Sequence, residues 1–251
     1  MSAHESPEIV LEMRDVHKAF GAKVVHRGVS FSLRKGEMLG LFGGSGTGKS
    51  VLIRSIIGLE QPDRGEVLFE GRNLLTLTER QLYKVRTKIG FVFQNGALFD
   101  SLTVEENLAY PLRAHTTLTD EEIQARIEKM LELIDMKGTN DLLPNELSGG
   151  MQKRAGMARA TILEPSVILF DEPTAGLDPV NTRRLTGNIT KLKDRGITGI
   201  FVTHDIPAAF EICDRVAILR EGVIHVIDTV ENIKRSKDPF VQSFVQGAYY
   251  T

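Results

Sequence analysis

The residues Gly43-Gly44-Ser45-Gly46-Thr47-Gly48-Lys49-Ser50 follow directly on the apolar run Met38–Phe42. They fill every fixed position of G-x-x-x-x-G-K-[ST], the pattern of a phosphate-binding loop between a strand and a helix. Glycines there let backbone N–H groups turn inward around phosphate oxygens, which side chains would obstruct. Lys49 is placed to reach the β- and γ-phosphates, and Ser50 to offer its hydroxyl to Mg²⁺. Val51, Leu52, Ile53, Ile56 and Ile57 supply the apolar positions of a helix whose positive end points at the same anion. The stretch predicts nucleotide binding.

A second set of candidates lies further along. Val167-Ile168-Leu169-Phe170-Asp171-Glu172 is an apolar strand ending in two carboxylates. An Asp delivered by a buried strand beside a phosphate loop holds Mg²⁺ through its water shell. Glu172 is then placed to polarise a water for attack on a γ-phosphate. His204 follows the apolar stretch Gly199–Thr203, and a neutral imidazole there could contact the γ-phosphate and that water. Gln94 ends the run Ile89–Phe93 and could reach the metal or the water. Ser148, in Leu147-Ser148-Gly149-Gly150-Met151-Gln152, reads as a helix cap.

These side chains need particular elements to hold them. Ile9–Met13, Val24–Leu33, Met38–Phe42, Gly65–Glu70 and Ile89–Gln94 read as strands, with turn signals at Gly21 and Lys35-Gly36. So many strands around the loop predict an antiparallel sheet beside the nucleotide. Thr78-x-x-Gln81, Thr103-x-x-Glu106 and Thr119-x-x-Glu122 each have the form of a capping box. Behind the third, Ile123, Ile127, Met130, Leu131 and Ile134 share one helical face. From Val167 the order is strand Val167–Phe170, helix Val180–Asp194, strand Gly199–Thr203, helix Ile206–Cys213 and strand Arg215–Leu219. That alternation predicts a largely parallel sheet with its ligand crevice at the carboxyl ends of the strands. Glu231–Gln246 reads as one or two short helices broken near Pro239.

Composition bounds the rest. At 251 residues, 25% charged and 41% hydrophobic, the chain is an ordinary globular sequence able to bury a full core. A formal net charge of −2 gives no reason to expect a nucleic-acid partner. The basic pairs Lys153-Arg154 and Arg183-Arg184 read as solvated helix faces. Cys213 is the single cysteine, which rules out an intramolecular disulfide and fits a reducing compartment. Its apolar neighbours Phe210, Ile212 and Val216 make it a small core residue. No apolar run approaches the roughly 18 residues of a membrane span, and Met1–Glu8 lacks a signal-peptide pattern. A cytosolic protein that meets a membrane only through a partner is expected.

Taken together, Gly43–Ser50, Gln94, Leu147–Gln152, Ile168–Glu172, Ala175–Asp178 and His204 resemble the Walker A, Q-loop, signature, Walker B, D-loop and H-loop of an ATP-binding cassette (ABC) ATPase. Phe20 resembles the aromatic that stacks on adenine. The resemblance covers almost the whole chain. It implies an α/β P-loop NTPase with a mixed, mainly parallel core sheet, an N-terminal antiparallel β-subdomain and an inserted α-helical subdomain. One ATP-binding domain is expected over 9–246, with its core and β-subdomain in 9–94 and 163–228, helices in 95–162, and a helical tail over 229–251. Also implied are ATP with Mg²⁺ held by Ser50, Gln94 and Asp171, and a head-to-tail homodimer. Ser148, Gly149 and Gly150 of one copy, with Asp178, would then meet nucleotide held by Lys49 of the other. Glu172 is the implied base, His204 the γ-phosphate sensor, and Gln94 the link to a membrane permease. Val51 stands where many cassettes carry a threonine contacting the α-phosphate, and Phe20 replaces the commoner tyrosine.

The segment Gln94–Asn107, Met151 in the signature and the tail Asp238–Gly247 further resemble ATPases of Mla-type phospholipid transporters. That likeness implies a small permease, a periplasmic MCE-domain protein and a place on the cytoplasmic face of the inner membrane. Leu98, Phe99 and Leu102 would suit a groove for the permease's coupling helix. The alternatives are a cassette driving another substrate, such as an amino acid or a metal chelate, a soluble cassette acting on ribosomes or DNA, and an inactive binding module.

Overall fold

Residues 8–246 are described by a computed structural model, in which two sheets divide the strands. The smaller is antiparallel, in the order β2-β1-β4-β5, from β1 (Ile9–Phe20), β2 (Lys23–Arg34), β4 (Arg64–Phe69) and β5 (Arg72–Asn73). The larger runs β10-β9-β3-β8-β7-β6, from β3 (Met38–Gly43), β6 (Ile89–Val92), β7 (Val167–Asp171), β8 (Thr198–Val202), β9 (Arg215–Arg220) and β10 (Val223–Thr229). Five of its strands are parallel, and β10 closes one edge antiparallel to β9. Every residue of β3, β7 and β8 is buried, as their unbroken apolar runs require of central parallel strands. Both expectations, the antiparallel opening and the parallel core, hold.

Helices cover these sheets. Following the phosphate loop is α1 (Lys49–Ile56), whose Leu52, Ile53 and Ile56 are fully buried beneath the antiparallel sheet. Each such side chain contributes roughly 1.5–3 kcal/mol by leaving water. Next come α2 (Glu79–Arg86), α3 (Val104–His115), α4 (Asp120–Leu133) and α5 (Gly149–Thr161). Reciprocal capping boxes open α3 at Thr103/Glu106 and α4 at Thr119/Glu122. At α2 the Gln81 side chain accepts from both the N–H and the hydroxyl of Thr78. Ile123, Ile127, Leu131 and Ile134 all face the core and Met130 is half-buried, as the helical period predicts. The crossovers α6 (Pro179–Lys193) and α7 (Ile206–Ile212) join β7 to β8 and β8 to β9; α8 (Val230–Lys234) and α9 (Pro239–Val245) end the chain. The tail is two short helices with the break just before Pro239, as expected, and Pro239 opens α9 with Asp238 as its cap. The last tail residues, including Gly247, lie outside the described residues, as does the stretch before Glu8.

Several readings are corrected. β1 continues seven residues past Met13 to Phe20, through register shifts and an Asp15 at φ 47°, which break the alternation that marks a strand. β10 lies beyond the last strand that the sequence predicts, because its half-exposed pattern lacks the apolar run of the central strands. Arg154 is 4% exposed and Lys153 is half-buried, so this pair is not a solvated face. Arg183 and Arg184 are exposed as expected. Cys213 is buried against Gly40, and burial pushes its thiol far above the ordinary range. Among the described residues, no helix is long and apolar enough to cross a membrane.

Candidate active site

The parallel register brings β3 beside β8 and β8 beside β7, with Asp171 opposite Val202. Three strand ends therefore open on one side: β3 into the Gly43–Ser50 loop, β7 into Asp171-Glu172, and β8 into Thr203-His204. A cleft of about 620 Å³ lies there, within the range of small-ligand sites. It is lined by Gly43, Ser45, Gly46, Gly48, Lys49, Ser50 and Val51 from the loop, with Gln94, Glu172 and His204 facing them. Phe20, Lys23 and Val25 of the antiparallel sheet form another wall, and the Lys18 ammonium stands 4.9 Å from the Phe20 ring centre.

The loop's geometry is made by its glycines. Gly46 and Gly48 hold φ of +73° and +97°. A Cβ on Gly48 would lie 2.3 Å from Val25 and 2.7 Å from the His26 ring, so this position has no room for a side chain. Thr47 turns inward and donates to the Gly44 carbonyl at 2.9 Å. Lys49 is 6% exposed and folds back onto the loop, donating to the carbonyls of Gly43 (2.9 Å) and Gly44 (3.0 Å). Burial lowers its pKa, against the opposing pull of Glu172 and Asp171. A buried cation within a glycine-rich loop fits a polyphosphate, whose charge would replace the solvation lost on folding.

Across from Lys49, the Ser50 hydroxyl donates to Asp171 Oδ1 at 2.8 Å, and Arg54 stands 3.9 Å from Oδ2. Burial raises the Asp171 pKa, opposed first by the Ser50 hydrogen bond and then by the Arg54 charge. Glu172 has φ 49° and donates its N–H to Val202 at 2.9 Å, a left-handed turn that swings its side chain from the strand into the cleft. Its carboxylate Oε2 lies 3.4 Å from His204 Nδ1. Ser50 and Asp171 are hard oxygen donors suited to Mg²⁺. No group of three or more His, Cys, Asp or Glu side chains able to hold a metal occurs among the described residues. A cation here would thus take its remaining ligands from water and phosphate oxygens.

Four of the expected residues lie elsewhere. Ser148 caps α5, accepting from Met151 N–H at 3.4 Å. Gly149 is open, with nothing within 4 Å of a built Cβ, and Gly150 is covered by Asn181. Asp178 caps α6, accepting from Val180 and Asn181, and the Asn181 backbone bond leads the set that lowers its pKa. None of these lines the cleft. Gln94 lies two residues beyond the end of β6, rather than at its last position. One neighbour of the site escaped sequence reasoning. His26 on β2 is fully buried behind Gly48 and makes a 3.1 Å hydrogen bond to its carbonyl, while no described group pairs with its Nδ1. A polar residue in an otherwise apolar β2 position was the available signal.

Comparison with known proteins agrees with this geometry. Residues 26–175 match the family described as ABC transporter. The chain is 38% identical over 239 residues to the intermembrane phospholipid transport system ATP-binding protein MlaF of Escherichia coli strain K12, covering 95% of this chain and 89% of that protein. It is also 38% identical over 240 residues to the probable ribonucleotide transport ATP-binding protein mkl of Mycobacterium leprae, covering 95% of this chain and 69% of the other. Among solved structures, it resembles an ATP-binding cassette in a dimeric post-hydrolysis state bound to ADP and Pi. That likeness has a TM-score of 0.80 and 31% identity, and covers 88% of this chain and 98% of the other.

Proposed function

This chain belongs to the ABC transporter family of ATPases, and from that membership we propose that it powers a membrane transporter carrying phospholipid. The observation that carries the reading is the split of the site. One cleft gathers Lys49, Ser50, Gln94, Glu172 and His204, while Ser148, Gly149 and Gly150 sit outside it. The cleft is half a site. A second copy, docked head to tail, supplies the open N-terminus of its α5 as an anion seat over the γ-phosphate.

Within that reading each residue has a task. Phe20 stacks on the adenine, and the Gly43–Ser50 loop with Lys49 surrounds the phosphates. Ser50, Asp171 and Gln94 hold Mg²⁺, which when bound supplies charge neutralisation on the phosphate oxygens. Glu172 accepts a proton from water as that oxygen attacks the γ-phosphorus, and the bond to the β–γ bridging oxygen breaks to release ADP and phosphate. His204, 3.4 Å from Glu172, orients the carboxylate and contacts the γ-phosphate. Val51 provides an apolar wall without the hydroxyl that a threonine would offer. Closure of the pair excludes water, and reopening after phosphate release moves the attached permease.

The permease docks where Phe99 and Tyr110 stand 43% and 55% exposed, ring centres 5.1 Å apart, with the Arg159 guanidinium 4.8 Å from the Phe99 ring. On this reading the chain works at the cytoplasmic face of the membrane. Phospholipid is favoured over the ribonucleotide named for the mycobacterial relative because the likeness to MlaF spans more of that relative's length. An MCE-domain protein completes the assembly.

Affinity purification of the tagged chain from native membranes in mild detergent, followed by mass spectrometry, tests this. A small permease, an MCE-domain protein and co-purified phospholipid are expected. A permease with a nucleotide or another non-lipid substrate would keep the ATPase and overturn the lipid. Ribosomal or DNA-bound partners would sink the transporter reading.

A further inference from the structure

We propose that Lys153 is a positioning residue that sets Glu172 from the opposite side of the chain, tying the signature helix to the turn behind the catalytic carboxylate. The inference rests on Glu172 being the base, as proposed above. Lys153 lies on α5, five residues after the Ser148 cap. Its ammonium donates to the carbonyl of Pro173 at 3.0 Å and to that of Ala175 through a shorter bond. These two carbonyls flank the turn that follows Glu172, which is itself closed by Ala175 N–H to Glu172 C=O at 3.1 Å and Leu177 N–H to Thr174 C=O at 3.2 Å. Among the described residues, Lys153 makes the hydrogen bonds that join α5 to this turn.

The need for such a tie follows from the backbone. Glu172 is held at φ 49°, a conformation that costs a non-glycine residue free energy and persists only where its surroundings enforce it. One side is held by the Glu172 N–H bond to Val202. The other side is the Pro173–Ala175 turn, and Lys153 fastens it. The arrangement is specific to a cation with several donors: two carbonyls converge on one ammonium. Burial lowers the Lys153 pKa, and the Glu172 charge opposes that fall.

The consequence concerns communication. The helix that begins at Ser148 is the one proposed to meet the second copy's nucleotide. Through Lys153 it is bonded to the turn that aims Glu172 at the nucleotide of its own cleft. A shift of α5 on engaging one ATP is therefore transmitted within the chain to the base acting on the other.

The test compares Lys153→Met, Lys153→Arg, Glu172→Gln and the Glu172→Gln/Lys153→Met pair in the purified full complex. Steady-state ATP hydrolysis and equilibrium ATP binding are measured for each. Lys153→Met is expected to lower kcat by about 10- to 100-fold, the scale of a misplaced catalytic group, with ATP affinity changed less than about twofold. Lys153→Arg should recover most of that loss. In the Glu172→Gln background the methionine should cost nothing further, because residues acting as one unit are not additive. Wild-type kcat in Lys153→Met, parallel loss of ATP binding, or an independent further loss in the pair would each overturn the inference. If Lys153→Met does not fold, Lys153→Gln carries the same comparison. Full hydrolysis by Glu172→Gln would instead overturn the assignment of the base.

Discussion

Ser50 Oγ and Asp171 Oδ1 are hydrogen-bonded at 2.8 Å across 121 positions of sequence. This contact joins the start of α1 to the end of β7 and sets a hydroxyl that lines the cleft beside a buried carboxylate. Each is a ligand type that Mg²⁺ accepts, and in the protein alone they satisfy one another. The bond does not offset the burial of the carboxylate, since the Asp171 pKa remains raised.

That balance has a thermodynamic sign. A carboxyl whose folded pKa lies above its unfolded value near 3.8 contributes stability below that value, and loses it as pH rises through the folded pKa. At pH 7 the ionised side chain therefore weighs against folding. Asp171→Asn should melt at a higher temperature than wild type at pH 7 without nucleotide or metal, and the gap should close toward pH 4. The same variant should lose on the order of 10²-fold or more in kcat. Scanning calorimetry at several pH values checks the first, and steady-state hydrolysis the second.

Gly48→Ala should damage both fold and function. The left-handed backbone alone costs roughly 1–2 kcal/mol, and the new methyl would sit 2.3 Å from Val25 Cγ1. Urea unfolding should show a stability loss of at least about that size. ATP binding by calorimetry should be lost with the loop's shape.

His26 carries a pH dependence. Burial lowers its pKa below the ordinary 6.5, with the Gly48 bond opposing and Lys18 adding to the fall. The unfolded chain then binds more protons than the folded one just below pH 6.5, so stability rises with pH through that window and falls on acidification. His26→Leu should flatten this part of the profile relative to wild type. Chemical denaturation from pH 5 to 8, read as the difference between the two proteins, measures it.

Phe99→Ala should leave ATP affinity within about twofold yet reduce permease recovered on co-purification, since exposed aromatic anchors often carry more than about 1 kcal/mol of an interface. Equal recovery from wild type and variant would remove Phe99 from the docking surface.

Local chemistry made much of this protein legible from its residues alone. The Gly43–Ser50 loop, the Thr103/Glu106 and Thr119/Glu122 boxes and the buried runs of β3, β7 and β8 are each encoded within a few neighbouring positions. Their hydrogen bonds or periodicity close on themselves. Packing decided the rest. Lys153-Arg154 reads as a solvated pair until α5 is laid against the turn after Glu172, where one ammonium meets two carbonyls more than a dozen residues distant. His26 is an ordinary strand residue until the phosphate loop folds over it. Ser148 and Lys49 belong to one proposed reaction, yet a single chain keeps Ser148 out of the cleft that Lys49 lines. Short-range propensity determines which elements form, whereas contacts between side chains far apart in sequence exist only after the sheets and helices have chosen their neighbours.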